Sequence, residues 1–526
     1  MAENNLALHL DQLTEEVLTI SRAPENHFEI AAILESSGWS DDLARESFGA
    51  KDVFELAEQV WQSLQTRVIT APLPVTGRMG ILAYIVNIIR SFLRGAIFAF
   101  PMIISIFAVL TIKYSLWSYM YFSLEIATSI AIGTILSFLV TGGFMQAIAR
   151  RGYLYLTQNE YTLARRMSFY FIRLGLFVCA IIGLAFSLFN LAFSVFTWNM
   201  FFISLYYYVF LSLCWLSVTV LYILRQEIAF TLLLSGGIGL IYVLHEWFQI
   251  AIMPAQMIAL TIVSAGGIIL AAVMFARVEK KAKEGIMPAL PRSSIVFYTS
   301  VPYFIYGFLY FLFLNTDRLI AWSANSLYMP YLIWFRGEYE LGLDWALFTL
   351  VVPLGLVEVM INAFVLRLHE NLKLFKAGDI RLFNNFYHNL YLKYLFCYCV
   401  LSIISGLLIY FALLKIDDLN LLQVSIFTNE TTFFVFRWAV VAYVTLAAGL
   451  ISALFLFCLS FPEPIIRGLF WACAVNMVTG FVLSRWFDYS LAVFGLLAGA
   501  IVFACYTNVF IWRALKKLDY LIYASA

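Results

Sequence analysis

The sequence predicts an all-α polytopic membrane protein, with about 12 transmembrane helices in two six-helix lobes and a small helical domain before them. Two properties of the composition predict this class: 63% of the residues are hydrophobic and 12% are charged, against about 25% charged residues in soluble domains. The mean hydropathy of +0.88 agrees. The net charge of +1 gives no overall field that would attract nucleic acid, so that class of partner is excluded.

Residues 1–79 are predicted to form a cytoplasmic helical module. The segment "LDQLTEEVLTI" and the segments after it have helical periodicity, and no secretory signal precedes them. No catalytic spacing is present, so we expect a docking module for a cytoplasmic or membrane synthase component. Residues 80–94 follow as an amphipathic helix, with Arg90 and Arg94 four residues apart, which is typical of a helix at a membrane interface.

Twelve apolar runs are long enough to cross a hydrocarbon core of about 30 Å. The division between the fifth and sixth runs is the least distinct, because only "HEWFQ" separates them. The predicted spans are 95–113, 122–148, 168–194, 200–223, 228–249, 252–276, 295–316, 342–366, 389–414, 432–460, 465–484 and 489–512.

Basic residues predict the orientation and the division into lobes. With the N-terminus inside, the cytoplasmic loops and tail hold 19 Lys and Arg residues, against six on or near the outer side. We therefore expect a bacterial plasma membrane protein with both termini in the cytoplasm. The most basic connection, 277–294, separates a first lobe at 95–276 from a second lobe at 295–512, and residues 513–526 form a cytoplasmic tail.

The two predicted lobes repeat each other weakly. Pro101 in "FAFPMIIS" corresponds to Pro302 in "YTSVPYFIY", and further matching points lie roughly 200–225 residues apart. Repeated halves with proline in their first helices are typical of transporters, because a site can form between halves that rock against each other. This pattern predicts a transporter.

The same features resemble the multidrug/oligosaccharidyl-lipid/polysaccharide (MOP) flippase superfamily, whose architecture is MATE-like. Within it, "PYFIYGFLYFLFLNTDRLIAW" is most similar to the exopolysaccharide exporter branch typified by the Pel system's membrane transporter. The resemblance implies a central cavity faced by helices 1, 2, 7 and 8. It also implies outward movement of a polysaccharide or lipid-linked glycan by alternating access, without enzymatic activity or a cofactor. Residues 1–79 are not part of the usual flippase pattern.

Glu358 and Asn362 are the strongest candidates for the translocation path. In "VVPLGLVEVMINAF" Glu358 lies well within the eighth span, where a carboxylate needs a partner or an aqueous cavity, and Asn362 follows one turn later on the same face. Glu358 can line the path, where it could also carry a coupling proton, or it can make a structural hydrogen bond.

Four other charged residues are candidates with a simpler alternative. Glu125 near the outer end of the second span and Arg173 in the third can contact substrate or extend toward water. Asp317 and Arg318 are predicted at the outer mouth of the seventh span, since Ser294 to Thr316 already covers about 35 Å. Adjacent helical residues point about 100° apart, so these two should have separate partners. They can anchor the helix, together with Trp322, or act as an outer gate.

Other functions are compatible with parts of this pattern. An ion-coupled small-solute exporter of the same superfamily would need a compact acidic site, and a non-transporting scaffold of a polysaccharide synthase could use the N-terminal module. A major-facilitator carrier is disfavoured because "ARRGYLYLTQNEYTLARR" lacks its loop signature. A membrane enzyme is disfavoured because the predicted outer loop 317–341 has no nucleophile or metal spacing, and His245-Glu246 lacks the second His of a zinc motif, so no metal is expected.

Overall fold

The computed structural model describes residue 10 and the ranges 12–17, 26–70, 81–97, 100–158, 160–282, 291–324, 332–372, 380–419 and 429–520. The chain divides into two compact units, Met1–Asn87 and Ile88–Ala526. Throughout the described ranges the regular structure is helical, as expected where apolar surroundings oblige backbone groups to bond within their own segment.

The first unit packs short helices around a small apolar core. Residues 12–17 are helical and are followed by α1 (His27–Ser36), α2 (Asp41–Phe48) and α3 (Val53–Thr70). Asn26 caps α1, Ser40 caps α2, and α2 ends at Gly49, whose φ of 68° suits glycine. The apolar stripes of these helices bury Leu13, Val17, Ile30, Leu34, Leu56, Val60 and Leu64.

The second unit is a bundle of long apolar helices. Among the described residues, eleven helices are long and apolar enough to cross a membrane, and a shorter apolar helix covers Ile103–Ile112. The helices are α4 (Ile81–Ile97), α5 (Phe100–Ile112), α6 (Leu124–Thr157), α7 (Tyr161–Phe193), α8 (Trp198–Ile223), α9 (Glu227–Tyr242), α10 (Ile252–Ala282), α11 (Ser293–Trp322), α12 (Gly337–Leu347), α13 (Val351–Leu372), α14 (Ile380–Asp418), α15 (Glu430–Cys458), α16 (Glu463–Trp486) and α17 (Val493–Leu515).

Several helices begin or end elsewhere than the sequence predicts. The predicted interfacial segment and first span correspond to α4 and α5, and residues 98–99 lie outside the described ranges. The eighth span begins earlier, as α12, and is interrupted by a 3₁₀ turn at Phe348–Leu350 before α13. The predicted linker is partly helical, since α10 continues to Ala282 and α11 starts at Ser293; residues 283–290 are not described.

Two apolar cores define the two lobes. One core is built mainly from α5 to α10, and the other from α11 to α17 with Ile135 of α6 added. The lobes meet where α6 packs against α11 and where α4 packs against α13. Pro302 lies inside α11; Pro101 is in α5, but its side chain lies outside the described part.

Candidate functional site

Two seams of glycine hold the lobes close together. A Cβ added to Gly95 of α4 would lie 2.5 Å from the backbone oxygen of Leu354, and one added to Gly355 of α13 would lie 2.6 Å from the ring of Phe92. Ordinary side chains cannot occupy such spaces, so glycine is what lets these two helices touch. This contact is the α4/α13 seam.

The second seam joins α6 to α11 and is equally tight. A Cβ at Gly142 would lie 3.0 Å from the carbonyl oxygen of Gly307, and a Cβ at Gly307 would collide with the carbonyl of Gly142. Beside it, the ring of Phe304 fills the space over Gly143. We call this contact the α6/α11 seam. Both seams use glycine because backbone atoms, rather than side-chain tips, are the neighbours.

Glu358 and Asn362 lie beside the α4/α13 seam. The Asn362 amide donates to Oε1 of Glu358 at 3.3 Å and approaches Oγ of Ser91 at 3.5 Å. Glu358 also interacts electrostatically with Tyr222 of α8 and Cys458 of α15, and both carboxamide and carboxylate are half-buried. The structure therefore brings these two predicted residues together, at a point where helices of both lobes converge. We call this region the Glu358 end of the bundle.

Two arginines bridge the lobes at the same end. Arg150 of α6 donates to Oγ of Ser460 at 3.0 Å, and Arg151 donates to Oγ of Ser300 at 3.4 Å. The Arg150 guanidinium also lies 5.1 Å from the ring centroid of Tyr303. The acceptors in these hydrogen bonds are neutral hydroxyls, so each bond is worth only about 1 kcal/mol and can break when the lobes separate.

A buried ion cluster lies within the second lobe. Arg318 of α11 forms an ion pair with Glu340 of α12 and approaches Oδ1 of Asp344 at 3.5 Å. The Arg318 side chain is 16% exposed, that of Glu340 6% and that of Asp344 45%. Three carboxylates with Asp317 included therefore surround one guanidinium, and an ion pair so shielded from water is strongly destabilised if one partner is removed.

Aromatic side chains complete this cluster. Asp317 is fully buried and accepts a hydrogen bond from the Tyr339 hydroxyl at 2.8 Å, whereas Trp322 donates through Nε1 to Glu340 at 2.9 Å. The expectation of an outer-mouth anchor formed by Arg318 and Trp322 is wrong in one respect: Trp322 is 2% exposed. The acids of α12 draw both side chains inward, because a buried acceptor outweighs an interfacial position.

Glu125 and Arg173 lie apart from these groups. Both side chains are exposed, and in the described ranges no hydrogen bond or ion pair joins either one to Glu358, Asp317 or Arg318. Glu125 occupies the first turn of α6, where a negative charge is favourable to the helix dipole. The geometry thus gives the two residues surface positions and offers no shared site.

Sequence reasoning missed the partners of Arg318. It placed Glu340 in an outer loop, whereas the structure has it in α12 with Tyr339 and Asp344. A usable signal was present: Glu340 and Asp344 are four residues apart, so on a helix both carboxylates fall on one face. What could not be read was the direction of that face toward α11.

The structure has the fold of MATE transporters. At a TM-score of 0.55 it is similar to the eukaryotic MATE transporter AtDTX14, with 12% identity over 85% of this chain and 98% of that one. The Vibrio cholerae MATE transporter VcmN in its bent form gives 0.52, 14%, 83% and 97%, and a MATE protein in the straight conformation gives 0.50, 12%, 82% and 96%. No protein-family model and no curated protein sequence matches the chain.

These likenesses confirm the predicted fold class: a helical membrane protein with a MATE-like arrangement of two lobes. They also agree with the MOP superfamily resemblance at the level of the fold. The exopolysaccharide branch stays a prediction.

Proposed function

We propose that this chain is a membrane transporter that moves a polysaccharide or a lipid-linked glycan outward by alternating access. The observation that carries the proposal is that two lobes with separate cores meet through glycine seams and neutral Arg–Ser hydrogen bonds at the Glu358 end. Such contacts can part without exposing an unpaired buried charge, which a rocking movement requires. The MATE-like fold supports the same movement.

The proposed path passes Glu358 and Asn362. A carboxylate within a span is costly unless it serves transport or has partners, and Glu358 lies where α4, α8, α13 and α15 come together. In this proposal the Glu358 carboxylate lines the path and can carry the coupling proton. The Glu358 end faces the cytoplasm of a bacterial cell, as the basic residues near it favour, including Arg150 and Arg151.

The test is deletion of the gene in the native host. We expect polysaccharide to disappear from the cell surface and its precursor to accumulate inside. Restoring the wild-type chain should reverse both effects. Normal surface polysaccharide in the deletion strain would contradict the proposal.

An ion-coupled small-solute exporter is the second candidate, and a specific observation favours it. Asp317, Glu340 and Asp344 gather three acids around Arg318, which is the compact acidic site that such an exporter needs. The two candidates differ in cargo. If this one is correct, deletion should raise the intracellular level of a fluorescent cationic dye and leave surface polysaccharide unchanged.

A synthase component is the partner that we propose for the N-terminal module. Residues 1–70 carry 13 Asp or Glu and four Lys or Arg, and exposed Phe28 and Phe54 lie with ring centroids 6.3 Å apart. An acidic surface with an aromatic pair suits a basic partner segment that has an apolar anchor. A scaffold without transport activity would depend on this surface alone, and substitution of Glu358 would then leave export intact.

Replacing both rings in the full chain tests this partner. Phe28→Ala/Phe54→Ala should reduce surface polysaccharide at an unchanged membrane level of the protein. Leu43→Ala on α2, another exposed apolar side chain of the module, is the matched control. Equal export by the double variant and the control would reject the docking surface.

A further inference from the structure

A continuous row of aromatic rings crosses the α6/α11 seam. Trp215 of α8 stacks on Phe138 of α6, with centroids 4.6 Å apart and planes at 22°. Phe138 in turn stacks on Phe311 of α11 across the seam, at 5.0 Å and 13°. Two lobes that must move relative to each other are thus joined by flat ring faces, and these three side chains are only half-buried.

The row continues along α11 toward the Glu358 end. Tyr310 lies beside Phe311, and Tyr306 stacks on Tyr310 with centroids 6.0 Å apart. Phe457 of α15 then links Tyr306, at 4.7 Å, to Tyr303, at 5.6 Å. From residue 311 to residue 303 this amounts to about 12 Å along the helix axis.

Both ends of the row are held in place. At one end Trp117 contacts Trp215 at 5.9 Å from a hairpin whose carbonyls at Ser115 and Ser118 accept hydrogen bonds from the buried Gln256 amide at 2.7 and 2.9 Å. At the other end the Arg150 guanidinium covers Tyr303. Trp215 is fixed in its plane by a hydrogen bond from Nε1 to Ser137 at 3.2 Å.

Three hydroxyl groups in the row have no protein partner. Tyr303, Tyr306 and Tyr310 are spaced three and four residues apart, so they share one face of α11. Within the described ranges no protein group hydrogen-bonds to any of these hydroxyls, and none of the three is among the side-chain oxygens that are sealed from solvent without a partner. The row therefore offers ring faces and accessible hydroxyls together.

We infer that this aromatic row is the surface along which the cargo passes, and that the cargo is a chain of uncharged sugar units. The inference rests on the proposed function and specifies its substrate class. A sugar ring has a face of C–H bonds that packs on an aromatic ring, and hydroxyls at its edge that need hydrogen-bond partners. Ring faces and free tyrosine hydroxyls meet both needs.

Other cargoes fit the row less well. A wholly apolar solute would leave the tyrosine hydroxyls without partners, at a cost in desolvation. A solute charged on every unit would need opposite charges along the row, yet its eight rings are contributed by Trp, Phe and Tyr alone, and the guanidinium of Arg150 lies at one end. Stacking is also tolerant of position, because successive units can use the same ring, so it suits a polymer that must slide.

The experiment measures exported polysaccharide per protein molecule in the native host. Trp215→Leu and Phe311→Leu remove ring faces and should lower export about tenfold, the loss expected from one aromatic contact of about 1.4 kcal/mol. Trp215→Phe keeps a ring and should retain most of the export. Tyr298→Leu is the matched control, because Tyr298 is on α11 but 81% exposed.

Each result decides the matter. If deletion abolishes surface polysaccharide but both Leu variants export at the wild-type rate, the row is not the path and the proposed function still stands. If polysaccharide persists in the deletion strain, both proposals fail. The precursor retained in the deletion strain gives an independent readout: it should consist of uncharged sugars, and a carboxylate or phosphate on every unit would overturn the inference.

Discussion

Replacing Arg318 with glutamine tests whether the buried ion cluster stabilises the second lobe. The substitution removes the only cation of the cluster and leaves Asp317 and Glu340 buried without a counter-ion. It keeps a polar side chain of similar length. The double variant Arg318→Gln/Glu340→Gln removes both charges of the tightest pair, so a comparison of the two separates charge from packing.

The magnitude follows from the burial of each partner. Breaking a buried ion pair by removing one partner costs about 3–5 kcal/mol, and the Arg318–Glu340 pair belongs to that class because both side chains are mostly buried. The Arg318–Asp344 contact adds little, because Asp344 is 45% exposed and the distance is 3.5 Å. For a lobe of about 200 residues, each kcal/mol shifts the unfolding midpoint by about 2–4 °C, which gives roughly 6–20 °C.

The assay is thermal unfolding of the purified full chain in detergent. We expect Arg318→Gln to lower the midpoint by that amount and the double variant to recover more than half of the loss. Arg173→Gln is the control, because Arg173 is exposed and its replacement should leave the midpoint unchanged. An unchanged midpoint for Arg318→Gln, or no recovery in the double variant, would refute the reasoning. The stable double variant also distinguishes anchor from gate: a gate loses export at a normal protein level.

Three further outcomes are expected. Glu358→Gln should abolish most export while the free energy of unfolding changes by less than about 1 kcal/mol, since the amide can still accept from Asn362; normal export would remove Glu358 from the path. Gly307→Ala should destabilise by about 1–3 kcal/mol through collision with a backbone carbonyl, whereas Gly239→Ala, with open space around it, should not destabilise; equal midpoints would contradict the seam. Gln256→Leu should cost about 2–3 kcal/mol and expose the Trp117 hairpin to protease, because two carbonyls lose their donor; a protease-resistant hairpin would count against this role.

Sequence reasoning predicted the helices better than the contacts between them. The apolar runs predicted a membrane-spanning helical bundle, and the division at "HEWFQ" is confirmed by separate helices α9 and α10. It also predicted that Glu358 and Asn362 share a face, as they do. It misplaced Glu340 in a loop, because a short helix before a 3₁₀ turn has too few apolar residues to look like a span.

The aromatic row shows why the rest was out of reach. Phe138, Trp215 and Phe311 are far apart in the chain, and each is one of many rings in an apolar run. Periodicity assigns a ring to a helix face, but it says nothing about which face of which other helix lies opposite. Only the glycine seam at Gly142 and Gly307 fixes that pairing, because backbone contact sets the register of α6 on α11.

By itself, the sequence determined that this protein is a bundle of membrane helices in two halves, because burial in lipid is decided by local composition and length. The tertiary structure alone decided that Arg318 turns inward to Glu340, that Glu358 lies at the meeting of both lobes, and that eight rings form one row. Those outcomes depend on packing between distant segments, where a glycine or an acid on one helix selects the neighbour of a residue on another.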